Sequence, residues 1–100
     1  MEIEFAWDPK KAKRNVEKHG VNFAVAKQVF FDPHLIVVED CEVRGEIRYQ
    51  AIGHIASGPL LVTVFVDRSD LHREIIRIIS ARKANQYEQA TYIDQFEEGH

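Results

Sequence analysis

The ten residues from Glu74 to Lys83, Glu-Ile-Ile-Arg-Ile-Ile-Ser-Ala-Arg-Lys, constrain this chain more than any other segment. Four isoleucines in so short a run specify a β-strand, because β-branched side chains suit a pleated surface and crowd a helix. Alternation puts Ile75, Arg77 and Ile79 on one face and Ile76 and Ile78 on the other. Apolar residues on both faces predict a central strand covered on both sides. Arg77 is then costly, because a buried guanidinium needs an anion beside it. Whether that anion is internal, Asp67 or Glu46, or belongs to a ligand is open.

The remaining elements follow from punctuation and period. Glu2 to Ala6 alternates and reads as an edge strand. Asp8-Pro9 is a helix start, with Asp as cap and Pro in the first turn, and Gly20 closes that helix after His19. Its apolar stripe is only Ala12 and Val16, so it is a surface helix. Asn22 caps a second helix, which Asp32-Pro33 ends. Leu35 to Glu39, Glu46 to Ile55 and Leu60 to Val66 read as strands, with an acidic turn at 40–45 and a hairpin turn at Ser57-Gly58-Pro59. A loop at 67–73 leads into the isoleucine strand. A final helix spans Ala84 to Phe96, with Ala84, Tyr87, Ala90 and Ile93 inward. The order β-α-α-β-β-β-β-α predicts an α+β fold. The alternation suggests a semi-polar side carrying Arg48, His54, Thr63, Phe65 and Arg77. A dry side of Val62, Val64, Val66, Ile76 and Ile78 would lie under the two N-terminal helices.

Composition narrows the function. One hundred residues make one modest domain, residues 1–100. No apolar run approaches the roughly 20 residues that cross a bilayer, and the acidic N-terminus lacks a secretory leader pattern. The lone Cys41 lies between Asp40 and Glu42, which disfavours a thiolate and fits a cytoplasmic, disulfide-free protein. The histidines at 19, 34, 54, 72 and 100 have no metal-ligand spacing, so neither metal nor cofactor is expected. Net charge is −3, yet Arg68 to Lys83 holds five cations against Asp70 and Glu74. Arg, Lys, His and Glu suffice for metal-free RNA cleavage, in which a base takes the 2′-hydroxyl proton and cations stabilise the phosphorane charge.

Each candidate has a plain alternative. Arg77 meets a scissile phosphate or an internal acid. Arg82 and Lys83 grip phosphates, or cap carbonyls and pair with acids of the final helix. Arg68 is a loop cation or a solvated charge. His19, at a helix C-terminus where the macrodipole favours its charged form, is an acid or a helix cap. Glu46 and Arg48 share a strand face and act on RNA or pair with each other. Trp7 stacks on a base or sits in the core, and the lysines of the first helix form a solvated face.

The segments Trp7-Asp8-Pro9-Lys10-Lys11, Asn15-Val16-Glu17-Lys18-His19-Gly20-Val21-Asn22-Phe23, Val29-Phe30-Phe31-Asp32-Pro33, Gly45-Glu46-Ile47-Arg48-Tyr49 and Arg77-Ile78-Ile79-Ser80-Ala81-Arg82-Lys83-Ala84 together closely resemble the BrnT family of type II toxins. The resemblance covers nearly the whole chain. It implies a small RelE-like fold, a mainly antiparallel sheet with two N-terminal helices on one face and a C-terminal helix. It implies a cytoplasmic endoribonuclease that inhibits translation and is neutralised by a ribbon-helix-helix BrnA-like antitoxin, with DNA contacted only through that antitoxin. On matched positions it implies catalytic roles for His19, Glu46, Arg48, Arg77 and Arg82, with Arg68 added on geometry, and RNA contacts at Lys18 and Lys83. The other functional reading is a non-catalytic homologue acting as binding partner or corepressor of a DNA-binding antitoxin.

Overall fold

The structure, a computed structural model, describes residues 2–97. His100, one of the histidines weighed in the sequence, lies outside the described residues. Five strands form one sheet in the order β1-β5-β4-β3-β2: β1 Ile3–Ala6, β2 Ile36–Val43, β3 Glu46–His54, β4 Leu60–Asp67 and β5 Glu74–Lys83. β1 runs parallel to β5 and every other pair is antiparallel. Helix α1 (Pro9–His19) and a short helix α2 (Phe23–Ala26), continued by a 3₁₀ turn at Lys27–Phe31, pack on one face of the sheet. Helix α3 (Gln86–Asp94) contributes to the cluster on the other face. The class is the α+β one expected from the sequence, with a 3₁₀ turn added after the second helix.

The helix ends form as their residues require. The Asp8 side chain accepts the Lys10 N–H at 2.8 Å, Pro9 fills the first turn, and Gly20 closes the helix at φ 70°. Asn22 caps α2 by accepting the Ala24 N–H at 2.7 Å. Val21, Phe23, Ala26 and Val29 then bury themselves on Ala51, Leu61, Phe65 and Ile78, with Phe30 edge-on to Phe65. Each large side chain buried there contributes about 2 kcal/mol. The buried residue of α1 is not apolar. Asn15 Nδ2 donates to the carbonyls of Val21 and Ala81, both at 2.9 Å, and its Oδ1 accepts the Ala81 N–H. β1 ends opposite Arg77, so the Asn15 carboxamide continues the ladder along β5 in its place. Val16, expected to face inward, is 46% exposed.

The sheet register corrects the expected faces. Arg48 pairs with Val66 and Val66 with Arg77, so the arginines share a face with Val62, Val64 and Val66. Thr63 and Phe65 lie on the helix side instead, where Thr63 Oγ1 donates to the Ala26 carbonyl. A two-residue turn at Ser57-Gly58 would have paired Arg48 with Asp67. The loop is actually three residues, Ala56 to Gly58, with Ile55 bonded to Pro59 and Gly58 at φ 115°. That slip of one residue exchanges the two faces of β4 relative to β3.

A second irregularity acts on β5. Val64 pairs with Ser80 but Phe65 with Ile78, leaving Ile79 as a bulge. The bulge puts Arg77, Ser80 and Arg82 on one face although strict alternation would separate them. That face is not covered along its length, contrary to expectation. Only its α3 end is covered, by a small cluster of Ile52, Val62, Ala84 and Tyr92. Helix α3 turns differently from the expected phase: Glu88 and Tyr92 are buried, while Tyr87 and Ile93 are exposed. β2 runs on through the supposed acidic turn to Val43, and Arg44-Gly45, both at positive φ, make a two-residue hairpin. Its Glu39, Asp40 and Glu42 then charge an exposed sheet edge, which discourages strand addition.

Candidate active site

Four of the six catalytic candidates gather at one end of the open face, around Val66. Arg48 and Arg77 flank it on the neighbouring strands. Two strand spacings put their Cα atoms about 10 Å apart. Both are half-buried, and among the described residues neither has a carboxylate in ion-pair range. The internal partners considered for Arg77 are thus not engaged with it. Asp67 caps the Ser69 N–H and Glu46 pairs with Arg68, Nε to Oε2 at 2.6 Å. Glu46, two residues along β3 from Arg48, does not pair with it. The Glu46–Arg68 pair is nearly half exposed at both side chains. Such a pair is worth about 0–1 kcal/mol, little enough for an incoming phosphate to compete for Arg68.

Arg82 is differently placed. Its two terminal nitrogens donate to the two oxygens of Glu88, each at 2.6 Å. The Glu88 side chain is 8% exposed and that of Arg82 34%. Glu88 also accepts the Asn85 N–H while Asn85 accepts the Glu88 N–H, a reciprocal cap that starts α3. The Arg82 hydrogen bonds hold the Glu88 carboxyl below its ordinary range, against the opposing effect of burial. Arg82 therefore has an internal anion, the one the sequence left open as an acid of the final helix. Its guanidinium anchors α3 to the sheet.

Beside that pair lies a polar hub that alternation did not single out. Burial pushes the Asp32 carboxyl up, but hydrogen bonds from Tyr92 Oη at 2.6 Å and from the His54 and His34 N–H groups outweigh it and hold it low. Burial and that same bond to Asp32 push the Tyr92 hydroxyl up to about 12. Tyr92 meets His54 edge-on at 5.0 Å, and His54 Nδ1 lies 2.6 Å from the Gly58 carbonyl. Lys83, Leu60 and Gln89 complete a cleft of about 360 Å³ there. Asp32-Pro33 reads in sequence only as a helix stop. That its carboxylate would tie α3 to β3 could not be seen without the fold.

The last two candidates stand apart. His19 and Lys18 line a cleft of about 190 Å³ between α1 and the bulge of β5, with Lys11, Arg14, Ile79 and Ser80. Trp7 packs edge-on against Phe23 and belongs to the core. Among the described residues no group of His, Cys, Asp and Glu could hold a metal ion, and no helix is long and apolar enough to cross a membrane.

Comparison with known proteins places this architecture. A crystal structure of the Brucella abortus ribonuclease toxin BrnT superposes with a TM-score of 0.61 at 24% identity, over 85% of this chain and 100% of that one. No curated relative matches the chain. The family model for BrnT, the ribonuclease toxin of a type II toxin-antitoxin system, matches residues 7–88, a span from the start of α1 to the Arg82–Glu88 pair. The chain belongs to the BrnT family of ribonuclease toxins of type II toxin-antitoxin systems.

Proposed function

We propose that this protein is a metal-independent endoribonuclease whose reacting phosphate lies over Val66, between Arg48 and Arg77. One observation carries the reading: two half-buried guanidiniums flank an apolar floor with no carboxylate in pairing range, beside a glutamate held only by a surface arginine. Glu46 accepts the proton of the RNA 2′-hydroxyl as that oxygen attacks the adjacent phosphorus. Arg48, Arg77 and Arg68 stabilise the charge of the pentacoordinate phosphorus, and the 5′ oxygen departs with a proton from water. The products are a 2′,3′-cyclic phosphate and a 5′-hydroxyl. The arginines supply the charge stabilisation that a metal would otherwise give. In the cell this activity inhibits translation in the cytoplasm until a ribbon-helix-helix BrnA-like antitoxin covers the toxin, the antitoxin making any contact with DNA.

The test is induction of the chain without its partner, together with cleavage of RNA by the purified protein in EDTA. Arg77→Ala and Arg48→Ala should each lower the cleavage rate about 10²–10³-fold, as loss of a transition-state donor does. Glu46→Gln should lower it about 10²–10⁴-fold. Circular dichroism must show these variants folded. A folded Arg77→Ala protein with full activity overturns the assignment. A wild type that is soluble, abundant and harmless overturns the enzyme, leaving the non-catalytic partner of a DNA-binding antitoxin.

A further inference from the structure

We infer that the cleft between α1 and the bulged edge of β5 is a second anion site, which holds the sugar–phosphate backbone of the RNA beside the reacting phosphate. The inference rests on the ribonuclease reading for the identity of its ligand. Its physical basis is separate. Lys11, Arg14 and Lys18 recur at three- and four-residue steps, so they project along one side of α1 and line the cleft with His19. No carboxylate lines it, and among the described residues none of these cations is in an ion pair. Asp8 feels the charges of Lys11 and Arg77 but does not line the cleft.

Helix α1 carries five Lys and Arg against Glu17 alone. The whole chain has 13 such cations and 16 acids, so the remainder has eight against fifteen. The cleft is thus a concentrated positive site on an acidic body. Asn15 is what makes it a fixed one. Its three hydrogen bonds lock α1 against the β5 edge, with Arg14 and Lys18 lining the cleft on either side of it.

Size and position select the ligand. At about 190 Å³ the cleft is smaller than the roughly 300 Å³ at which small-molecule pockets begin. Cations line it and no Phe, Tyr or Trp does, so it suits phosphate groups better than a stacked base. Lys11 to Lys18 covers about 10 Å of helix, a line of charge and not a point. Ser80 lines the cleft and also lies on the open face, where it pairs with Val64. It stands three residues beyond Arg77, about 10 Å along the strand. A backbone leaving the Arg48–Arg77 position therefore crosses β5 at Ser80 and reaches the α1 cations.

The experiment measures binding of a fluorescent 2′-O-methyl RNA 12-mer, which cannot be cleaved, as a function of salt. Lys11→Gln/Arg14→Gln/Lys18→Gln should flatten the plot of log K against log salt by about 2, at roughly 0.7 for each phosphate of a single strand that is no longer neutralised. Lys10→Gln/Lys13→Gln, which removes charge from α1 outside the cleft, should leave the slope nearly unchanged. An unchanged slope in the triple variant overturns the inference, and so does an equal effect of the two sets. Competition by polyglutamate as strong as by unlabelled RNA also overturns it, in favour of an acidic protein segment. Because the probe is inert, failure of the cleavage chemistry would leave this readout intact, and failure of the cleft would leave the arginine variants interpretable.

Discussion

Removing Arg82 from the Arg82–Glu88 pair should reverse the dependence of stability on pH that Glu88 gives the wild type. In the wild type the Glu88 carboxyl lies below its ordinary range, chiefly through its bonds to Arg82. A depressed carboxylate contributes stability that is present above its unfolded value and lost as pH falls through the folded one. Arg82→Met leaves Glu88 with its 8% exposure but without the guanidinium. Burial, which already opposes the shift, then dominates and raises the carboxyl, so stability is present at low pH and lost as pH rises. At pH 7 this stranded charge should cost about 3–4 kcal/mol, near the low end for a buried pair broken on one side. Glu88→Ala should cost less, about 2–3 kcal/mol, because Arg82 at 34% exposure can rehydrate. Arg82→Met/Glu88→Leu should recover most of the loss, since apolar replacement of a whole pair is often neutral. Urea unfolding of the four proteins at pH 4, 5.5 and 7 measures these terms. In a domain of this size each kcal/mol is about 4–8 °C in Tm, so the thermal shift is also readable. The reasoning is refuted if Arg82→Met lies within 0.5 kcal/mol of wild type at pH 7, or loses stability on acidification as wild type does. The double variant also decides the role of Arg82. If it is folded and cleaves RNA at the wild-type rate, Arg82 anchors α3; if it is folded and inactive, Arg82 acts on the RNA.

Three further outcomes follow from the packing. Asn15→Ala should cost about 3 kcal/mol in urea unfolding, because it strands a buried N–H and two carbonyls at once. Asn15→Asp should be no better, since a carboxylate would face the Val21 and Ala81 carbonyls. Gly53→Ala should cost about 1–3 kcal/mol, because its added Cβ would lie 3.0 Å from the Val29 carbonyl oxygen and 3.3 Å from Asp32 Cβ; a neutral result would mean that the 3₁₀ turn yields freely. On the alkaline side, Tyr92 titrates near 12 when folded against about 10 when unfolded. Stability should therefore fall as pH rises above about 10, and Tyr92→Phe should remove that limb of the curve.

The legible part of this fold was local. Caps at Asp8 and Asn22, the stop at Gly20 and the strandedness of Glu74 to Lys83 are written in neighbouring residues, and all four appear. What could not be read was relative position. Alternation states which side chains of one strand agree, but the face shared between strands depends on a single residue of loop length, and Ala56 to Gly58 is one longer than a tight turn. The bulge at Ile79 has no composition signal either, yet it brings Arg77 and Arg82 to one face. The candidate site was accordingly half legible. Glu46, Arg48, Arg68 and Arg77 were named as chemical types and do converge. Arg82 was named equally, and only the position of Glu88 on α3 shows that its anion is internal. The lysines of α1 read as a solvated face and are exposed, but nothing in sequence reveals that Asn15 docks that helix on a strand edge.

The acidic whole and the basic cleft are compatible for a reason of distance. At physiological ionic strength the Debye length is about 8 Å, so the fifteen acids outside α1 act on an approaching RNA only where they are near it. Three of them are far from it. Glu39, Asp40 and Glu42 lie on β2 at the opposite edge of the sheet, four strands from β1, which at about 4.8 Å per strand is some 19 Å from the α1 side. Net charge thus says little about affinity here, and its distribution says a good deal about orientation. On the proposed path, an RNA near the β2 edge meets acids, whereas one near α1 meets Lys11, Arg14 and Lys18 and crosses Ser80 toward Arg77. The isoelectric point of 5.9 is then no objection to a polyanionic substrate. It belongs to a surface on which α1 gathers five cations while the far edge of the sheet carries Glu39, Asp40 and Glu42.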